Sequence, residues 1–408
     1  MTAGLLRDLA DRLARPVGES ERKRARLHLL DWLACVASAR NMPAGTLARA
    51  VSGHAWEQSA YLGNPLEMDD VHRTALLHPG PVVWPAAMGV PGAALVTRLD
   101  AAVRGYEAMI AVGMALDEHH YAHWHATTTA GVFGAAAAAA SLLGLSAQQT
   151  ADALANAGSV SGGLWHMRHG DNATKQWHIF HALRTGRDAA LHAAHGVTGP
   201  HGLLEGPQGL FAAMTRTPGA LGGGADGWLI HQVSFKPFAA CRHAHPAIDA
   251  ALQLRAGDTL QAPFTVETYA DALAFCDRPD PASEQEAKFS LQHAVAVVAD
   301  GRDARPEDFT PDAIEALREL RAQVSVTEDA EFTAHYPAHF GARVNGHAVA
   351  DTLGDPERPV GPQEIGGKMA MLAEWGGLDT AEADRAQALA LEGDDAAALD
   401  TMLAEWLA

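Results

Sequence analysis

Four histidines, His119, His120, His123 and His125, fall within seven positions of the stretch DEHHYAHWHATTTAGVFG (117–134). Imidazole moves protons near neutral pH, ligates metals, or simply packs. His119 and His123 have the i,i+4 spacing of two ligands on one helix face. No HExxH pattern, neighbouring cysteine or third ligand at a familiar spacing completes a zinc set, so no metal site is expected here. His125 differs from the others because it directly precedes ATTTAG, where a helix begins. The unpaired N–H groups of a helix start attract anions. A histidine placed there can hold a carboxylate and move a proton. His119, His120 and His123 are expected mostly at the surface.

Three further stretches carry ionisable groups among small residues. In GNPLEMDDVHRTALLHPGP (63–81), Glu67, Asp69 and Asp70 precede His72, and His78 precedes Pro-Gly-Pro. Crowded carboxylates raise one another's pKa, which is one way to tune an acid or a base. A capped helix start followed by a turn would use the same residues. In SVSGGLWHMRHGDNATKQWHIFHALRTG (159–186), Lys175 opens a helix after GDNAT, with His178 three positions on. A lysine there can clamp a carboxylate as a point charge, and a solvated helix lysine is the plainer alternative. In SFKPFAACRHAHPAIDA (234–250), Lys236, Cys241, His243 and His245 gather before a helix. A cysteine beside histidine raises covalent catalysis, but this pattern alone is weak support. GSVSGG is not the GxSxG elbow, LGGGAD is not GxGxxG, and there is no P-loop.

Composition removes several function classes. The net charge is −19, and the densest basic run, RKRAR (22–26), follows Glu19 and Glu21 in a helical pattern. That run is expected to be a solvated helix face, and nucleic-acid binding is not expected. Cys35, Cys241 and Cys276 are odd in number and widely spaced, which argues against a disulfide framework and for a reducing, cytoplasmic setting. No apolar run is long enough to span a bilayer, so no membrane association is expected.

The elements that must position these residues are mostly helical. Through about residue 215 the apolar spacing is that of helices, including 20–38, 101–116, 127–143 and 172–195, with Ser146 and Gln149 forming a capping box. After about 220, WLIHQVSF, FTVETYAD, AQVSVTED and ARVNGHAV read as strands among helices at 244–255, 284–299 and 311–319. From about 362 the pattern is helical again. The expected fold is mainly α with an α+β portion: a helical domain from 1–235 and 356–408, and an α+β domain over 236–355.

In combination, LLDWLA, LEMDDVHRTALLHPG, GYEAM, HWHATTTAGVFGAAAAAASLLGLS, NATKQWHIFHALRTG, GVTGPHGLLEGPQGLF, FKPFAACRHAHPAIDA and EAKFSLQHAVA resemble the MmgE/PrpD family. That family includes 2-methylcitrate dehydratase, cis-aconitate decarboxylase and iminodisuccinate epimerase. The resemblance implies a homodimer and a cleft active site under an α+β lid. It also implies a small di- or tricarboxylate substrate and no metal or organic cofactor. It places His78 and His125 as the leading proton-transfer groups, with Glu67, Asp69 and Asp70 near the reacting centre. Lys175, Lys236, Cys241, His245 and His293 would bind substrate. Two positions depart from the family pattern. His293 stands where the family often has tyrosine, and Cys241 stands where the decarboxylase members have an active-site histidine. The expected reaction is dehydration of a 2-methylcitrate-like hydroxy acid, with epimerisation or decarboxylation as alternatives. From other classes, a zinc-dependent hydrolase using the histidine clusters and a non-catalytic carboxylate-binding scaffold remain open.

Overall fold

A computed structural model describes residues 4–169, 172–224 and 227–408. Helix dominates it, with one small four-stranded sheet, as the mainly α expectation requires. Residues 170–171 of the GDNAT loop and 225–226 of the Gly-rich break lie outside the described residues. The chain divides into two units. Unit 1 holds Met1–Pro65, Asp69–Val233 and Gly361–Ala408, and unit 2 holds Leu66–Met68 and Ser234–Val360.

Unit 1 is helical, and six of its helices position the chemistry. They are α1 (Glu19–Ala39), α2 (Gly80–Met88), α3 (Leu95–Gly113), α4 (Ala126–Leu142), α5 (Ala147–Gly158) and α6 (Thr174–Ala194). α4 is the central one, with every residue from Ala126 to Ala140 buried. Its alanines and glycines carry little bulk and no charge, so neighbouring backbones come close. A Cβ on Gly105 of α3 would lie 2.6 Å from Val83 Cγ1 and 3.0 Å from the Gly134 carbonyl. A Cβ on Gly134 would lie 2.8 Å from Met109 Cβ. On α6, a Cβ on Gly186 would lie 2.5 Å from the Val132 carbonyl. α5 begins with the Ser146–Gln149 capping box read from the sequence.

The RKRAR run is not a solvated face. Arg22 pairs with Asp100 at 2.7 Å, Arg24 donates to the Val233 carbonyl at 2.6 Å, and Arg26 donates to the Ala390 and Gly393 carbonyls at 2.9 and 2.8 Å. Long guanidinium forks suit this use, because each can bind several carbonyls while its stem covers apolar surface. The returning helix Pro362–Trp375 packs on α1, and its Lys368 Nζ meets Asp31 Oδ1 at 2.6 Å with both groups buried.

Unit 2 holds the four-stranded sheet. β1 (Phe264–Thr268) runs parallel to β2 (Val324–Glu328) and antiparallel to β3 (Ala342–Val344), which pairs with β4 (His347–Val349). ARVNGHAV is therefore two strands. Asn345 and Gly346, with φ of 44° and 83°, form the tight turn that Asn-Gly favours. The strand expected at WLIHQVSF is absent. Leu229–Gln232 form a 3₁₀ turn in unit 1, fixed by the Leu229 N–H donating to Glu107 Oε2 at 2.7 Å. α7 (His245–Ala256) matches its expected span. The helix expected over 284–299 breaks at Phe289 and restarts as α8 (Leu291–Ala299), because the Ser290 hydroxyl caps the His293 N–H at 3.0 Å. Among the described residues no helix is long and apolar enough to cross a membrane.

Candidate active site

The loop from Asp69 to Gly80 is stitched at its base by Asp70. The Asp70 Oδ2 atom meets His28 Nδ1 of α1 at 2.8 Å and accepts the Tyr106 hydroxyl of α3 at 2.5 Å. Its Oδ1 accepts the N–H of Gly80, the first residue of α2, at 2.8 Å. A Cβ on Gly80 would come within 2.7 Å of that Oδ1, so the clamp needs glycine. Burial pushes the Asp70 pKa up to about 6, and the Tyr106 and Gly80 hydrogen bonds oppose that rise. Within the loop, His72 and Leu77 exchange main-chain hydrogen bonds at 2.9 and 3.4 Å.

This frame presents His78. Its Nδ1 stands 3.0 Å from Asp69 Oδ2 and 3.1 Å from the Asp70 carbonyl, and its N–H donates to Thr127 Oγ1 at 3.1 Å. Both atoms facing Nδ1 are acceptors, so the ring proton sits on Nδ1 and the lone pair of the neutral ring is on Nε2. Asn64 Nδ2 holds the other Asp69 oxygen at 2.7 Å. The side chain of His78 stays 16% exposed, so Nε2 has access to a reactant. An imidazole held at Nδ1 by the Asp70 carbonyl, with the Asp69 carboxylate beside it, can act as a general base through Nε2.

His125 caps the start of α4 with its main chain. Its carbonyl accepts the N–H groups of Thr128 and Thr129 at 2.9 and 3.1 Å, and its own N–H donates to the Gly163 carbonyl at 2.8 Å. Its ring lies 4.7 Å from that of Trp165, centroid to centroid, and Nδ1 stands 2.8 Å from Thr128 Oγ1 and 3.4 Å from His178 Nδ1. Burial holds the His125 pKa well below the usual imidazole range, and the charges of Lys175, His178 and His78 add to the effect. Burial, then His181, lowers that of His178. Both rings are therefore neutral near pH 7. His178 also lines a cavity of about 580 Å³ whose wall includes Leu164, His166, Met167, His169 and Trp177. Lys175, half-buried, is the second residue of α6.

The remaining histidines of the 119–125 cluster separate. His119 and His123 pair edge to face with centroids 4.9 Å apart, and His123 is exposed. His120 is fully buried, contrary to the surface expectation. Its Nε2 bonds Thr129 Oγ1 at 3.0 Å, that hydroxyl donates to the Gly162 carbonyl at 3.1 Å, and burial lowers its pKa to about 4. It braces the first turn of α4 from inside. Among the described residues, the three-donor group close enough for a metal is His339, Asp351 and Glu357, far from this cluster in sequence.

In unit 2, Glu67 is buried and has φ of 58°, a left-handed conformation uncommon for a residue with a Cβ. Its Oε2 lies 3.9 Å from Nζ of the fully buried Lys236. Cys241 is buried as well. Burial pushes its thiol up, but the hydrogen bond with Cys276, the His243 N–H and the charge of Lys236 outweigh that and leave its pKa lowered. His245 is fully buried, with Nε2 bonding the Ala240 carbonyl at 3.0 Å and its ring 5.2 Å from Phe238. His293 does not sit as a substrate ligand would. Its Nε2 bonds the Asp308 carbonyl at 2.8 Å, its Nδ1 faces Arg321 Nη1 at 3.4 Å, and burial lowers its pKa to about 4. Placed in the apolar first turn of α8, it is an internal strut of unit 2.

Comparison with known proteins places this arrangement in a family. The MmgE/PrpD N-terminal domain matches residues 58–220, and the MmgE/PrpD C-terminal domain matches residues 238–393. The chain belongs to the MmgE/PrpD family. It is 29% identical to cis-aconitate decarboxylase of Homo sapiens over 252 residues, covering 53% of this chain and 52% of that protein. It is 32% identical to the mouse cis-aconitate decarboxylase over 193 residues, covering 44% and 39%. It is 27% identical to that of Aspergillus terreus over 231 residues, covering 52% and 46%. The matches span about half the length of these relatives or less.

Several residues of the candidate site of this MmgE/PrpD member gave little sign in the sequence. His28 and Tyr106 sit inside apolar helical runs and look like packing residues until Asp70 is found beside them. Thr127 and Thr128 had a signal in the TTT run, which marked a helix start without saying which hydroxyl would meet which imidazole. Asn64 and Trp165 had none.

Proposed function

We propose that this MmgE/PrpD member is a lyase acting on a small di- or tricarboxylate without metal or organic cofactor. The dehydration of a 2-methylcitrate-like hydroxy acid is the leading reaction. The observation that carries this reading is a pair of imidazole systems held in different states. His78 is held at Nδ1 by the Asp70 carbonyl, beside Asp69, with its lone pair on Nε2, and His125 and His178 are kept neutral by burial. Dehydration asks for two proton movements. A base takes the proton from the carbon next to a carboxylate, and an acid gives one to the departing hydroxyl. His78 Nε2 takes the first proton. The His78 imidazolium so formed returns that proton to the departing hydroxyl, which the neutral His125–His178 pair holds by hydrogen bond, and water leaves as the C=C bond forms. Lys175 holds a substrate carboxylate and stabilises the negative charge that develops.

Decarboxylation is the second reading, favoured by the names of the three relatives. It needs only one proton donor after CO₂ departs, and the two-imidazole arrangement exceeds that need. The test is a scan of hydroxy and unsaturated polycarboxylic acids, followed by ultraviolet absorbance and NMR. A new C=C absorbance with water loss and no CO₂ supports dehydration, and CO₂ release moves the assignment to decarboxylation. No turnover of any acid, with tight carboxylate binding, returns the scaffold reading. Loss of turnover on EDTA treatment overturns the metal-free mechanism.

A further inference from the structure

Three side chains at the end of the unit 2 sheet converge without any part in the proposed reaction. Donor atoms of His339, Asp351 and Glu357 all lie within 4.8 Å of one another. The closest pair is His339 Nδ1 and Asp351 Oδ1, 2.8 Å apart. They come from three places in the chain: the segment after the helix Ala330–His335, the residue two beyond β4, and the turn that follows.

The backbone fixes each of these positions independently of the three side chains. The His339 N–H donates to the His335 carbonyl at 3.0 Å, and the next residue, Phe340, is fully buried. The Asp351 carbonyl accepts from Arg358 Nη1 at 2.9 Å. The turn carrying Glu357 is closed by Gly354 N–H to Arg358 carbonyl and Arg358 N–H to Asp355 carbonyl, both at 2.9 Å. The adjoining Thr352 N–H donates to Asp355 Oδ2 at 3.0 Å. The scaffold holds the three residues where their donor atoms lie within 4.8 Å of one another, close enough for a ligand set.

We infer that His339, Asp351 and Glu357 form a divalent-cation site of the zinc class in the loops of unit 2. One imidazole and two carboxylates are a mixed N/O set that suits zinc or manganese better than the all-oxygen ions. Metal–ligand bonds of about 2.0–2.2 Å put tetrahedral donors about 3.4 Å apart. The His339–Asp351 pair opens slightly to reach that spacing, and the exposed Glu357 closes in. The cation takes the place of the hydrogen between Nδ1 and Oδ1, and the ring then carries its proton on Nε2. Water completes the coordination shell.

The experiment is calorimetric titration of Zn²⁺ into the full chain after EDTA treatment and dialysis. Wild type is compared with Asp351→Asn, Glu357→Gln and a His119→Ala/His123→Ala control. Melting temperatures of the metal-free proteins check that each variant folds. The expected result is a single zinc equivalent in wild type and in the control, with affinity lower by about tenfold or more in each carboxylate variant. Wild type that takes up no zinc overturns the inference. So does equal binding in Asp351→Asn and Glu357→Gln, or binding lost only in the His119/His123 control.

Discussion

Nδ1 of His125 stands 3.4 Å from Nδ1 of His178. Two imidazolium rings cannot share that distance in a buried setting with Lys175 close enough to act on His125. The pair therefore carries no more than one extra proton at a time. Because His178 also forms part of the cavity wall, a molecule bound there can hydrogen-bond to the pair without His125 being exposed.

His78→Ala should lower kcat by about 10²- to 10⁴-fold, the usual range for losing a general acid or base. Asp69→Asn should cost less, because the ring keeps its Asp70 carbonyl bond and loses only the neighbouring negative charge. Steady-state kinetics with circular dichroism as a fold check would measure both. Near-wild-type turnover in His78→Ala removes it from the mechanism.

Lys175→Ala should raise KM more than it lowers kcat, because a charge clamp on a spectator carboxylate acts alike on ground and transition states. It should have a second effect. The charge of Lys175 helps hold the His125 pKa down, so its removal lets that pKa rise. The acid limb of kcat/KM then moves to higher pH. A pH–rate profile of the variant that overlays wild type would separate Lys175 from His125.

His120 links stability to pH. Its folded pKa of about 4 lies below the unfolded value, so the unfolded chain binds more protons as pH falls below about 6.5. Its contribution is fully present above that pH and is lost on descending through 4. His120→Asn removes this linkage. Its stability deficit against wild type should narrow by about 2 kcal/mol between pH 7.5 and pH 5. Urea unfolding at the two pH values measures it, and a deficit that stays constant contradicts the buried neutral ring.

Gly134→Ala should destabilise unit 1 by about 1–3 kcal/mol, the cost of overpacking a close helix crossing. The added Cβ meets Met109 Cβ at 2.8 Å and the Gly105 carbonyl at 3.1 Å, and neither atom is the far end of a flexible side chain. Thermal unfolding gives the readout. An unchanged melting temperature would mean that α3 and α4 can slide apart.

The helices were legible in the sequence wherever a local rule governs them. The Ser146–Gln149 box follows from capping alone. Elements decided by distant partners were not. Leu229–Gln232 has strand-like residues, yet Glu107, 122 positions away in sequence, takes the Leu229 N–H that a strand neighbour would need. ARVNGHAV carried its Asn-Gly signal openly, and reading it as one strand overlooked a turn dipeptide. The same division runs through the candidate site. His78 and His125 were marked by the Pro-Gly turn and the helix start beside them. Nothing near His28 or Tyr106 in sequence announces Asp70. His120 and His125 differ by five positions and look alike in sequence, and the bond of His120 to Thr129, which donates to Gly162, marks it as the brace.

The Asp31–Lys368 pair sets a timetable for making the protein. The two residues lie 337 positions apart, and burial alone would hold the Asp31 pKa high, at about 6 even with Lys368 in place. A ribosome delivers α1 long before it delivers the lysine. Until then the apolar half of α1, from His28 to Ala39, has a carboxylate in its midst and no returning helix to cover it. The cover of α1 is therefore completed only by a segment made after unit 2. Chaperone binding to stalled chains that end before residue 361 should concentrate on this uncovered helix.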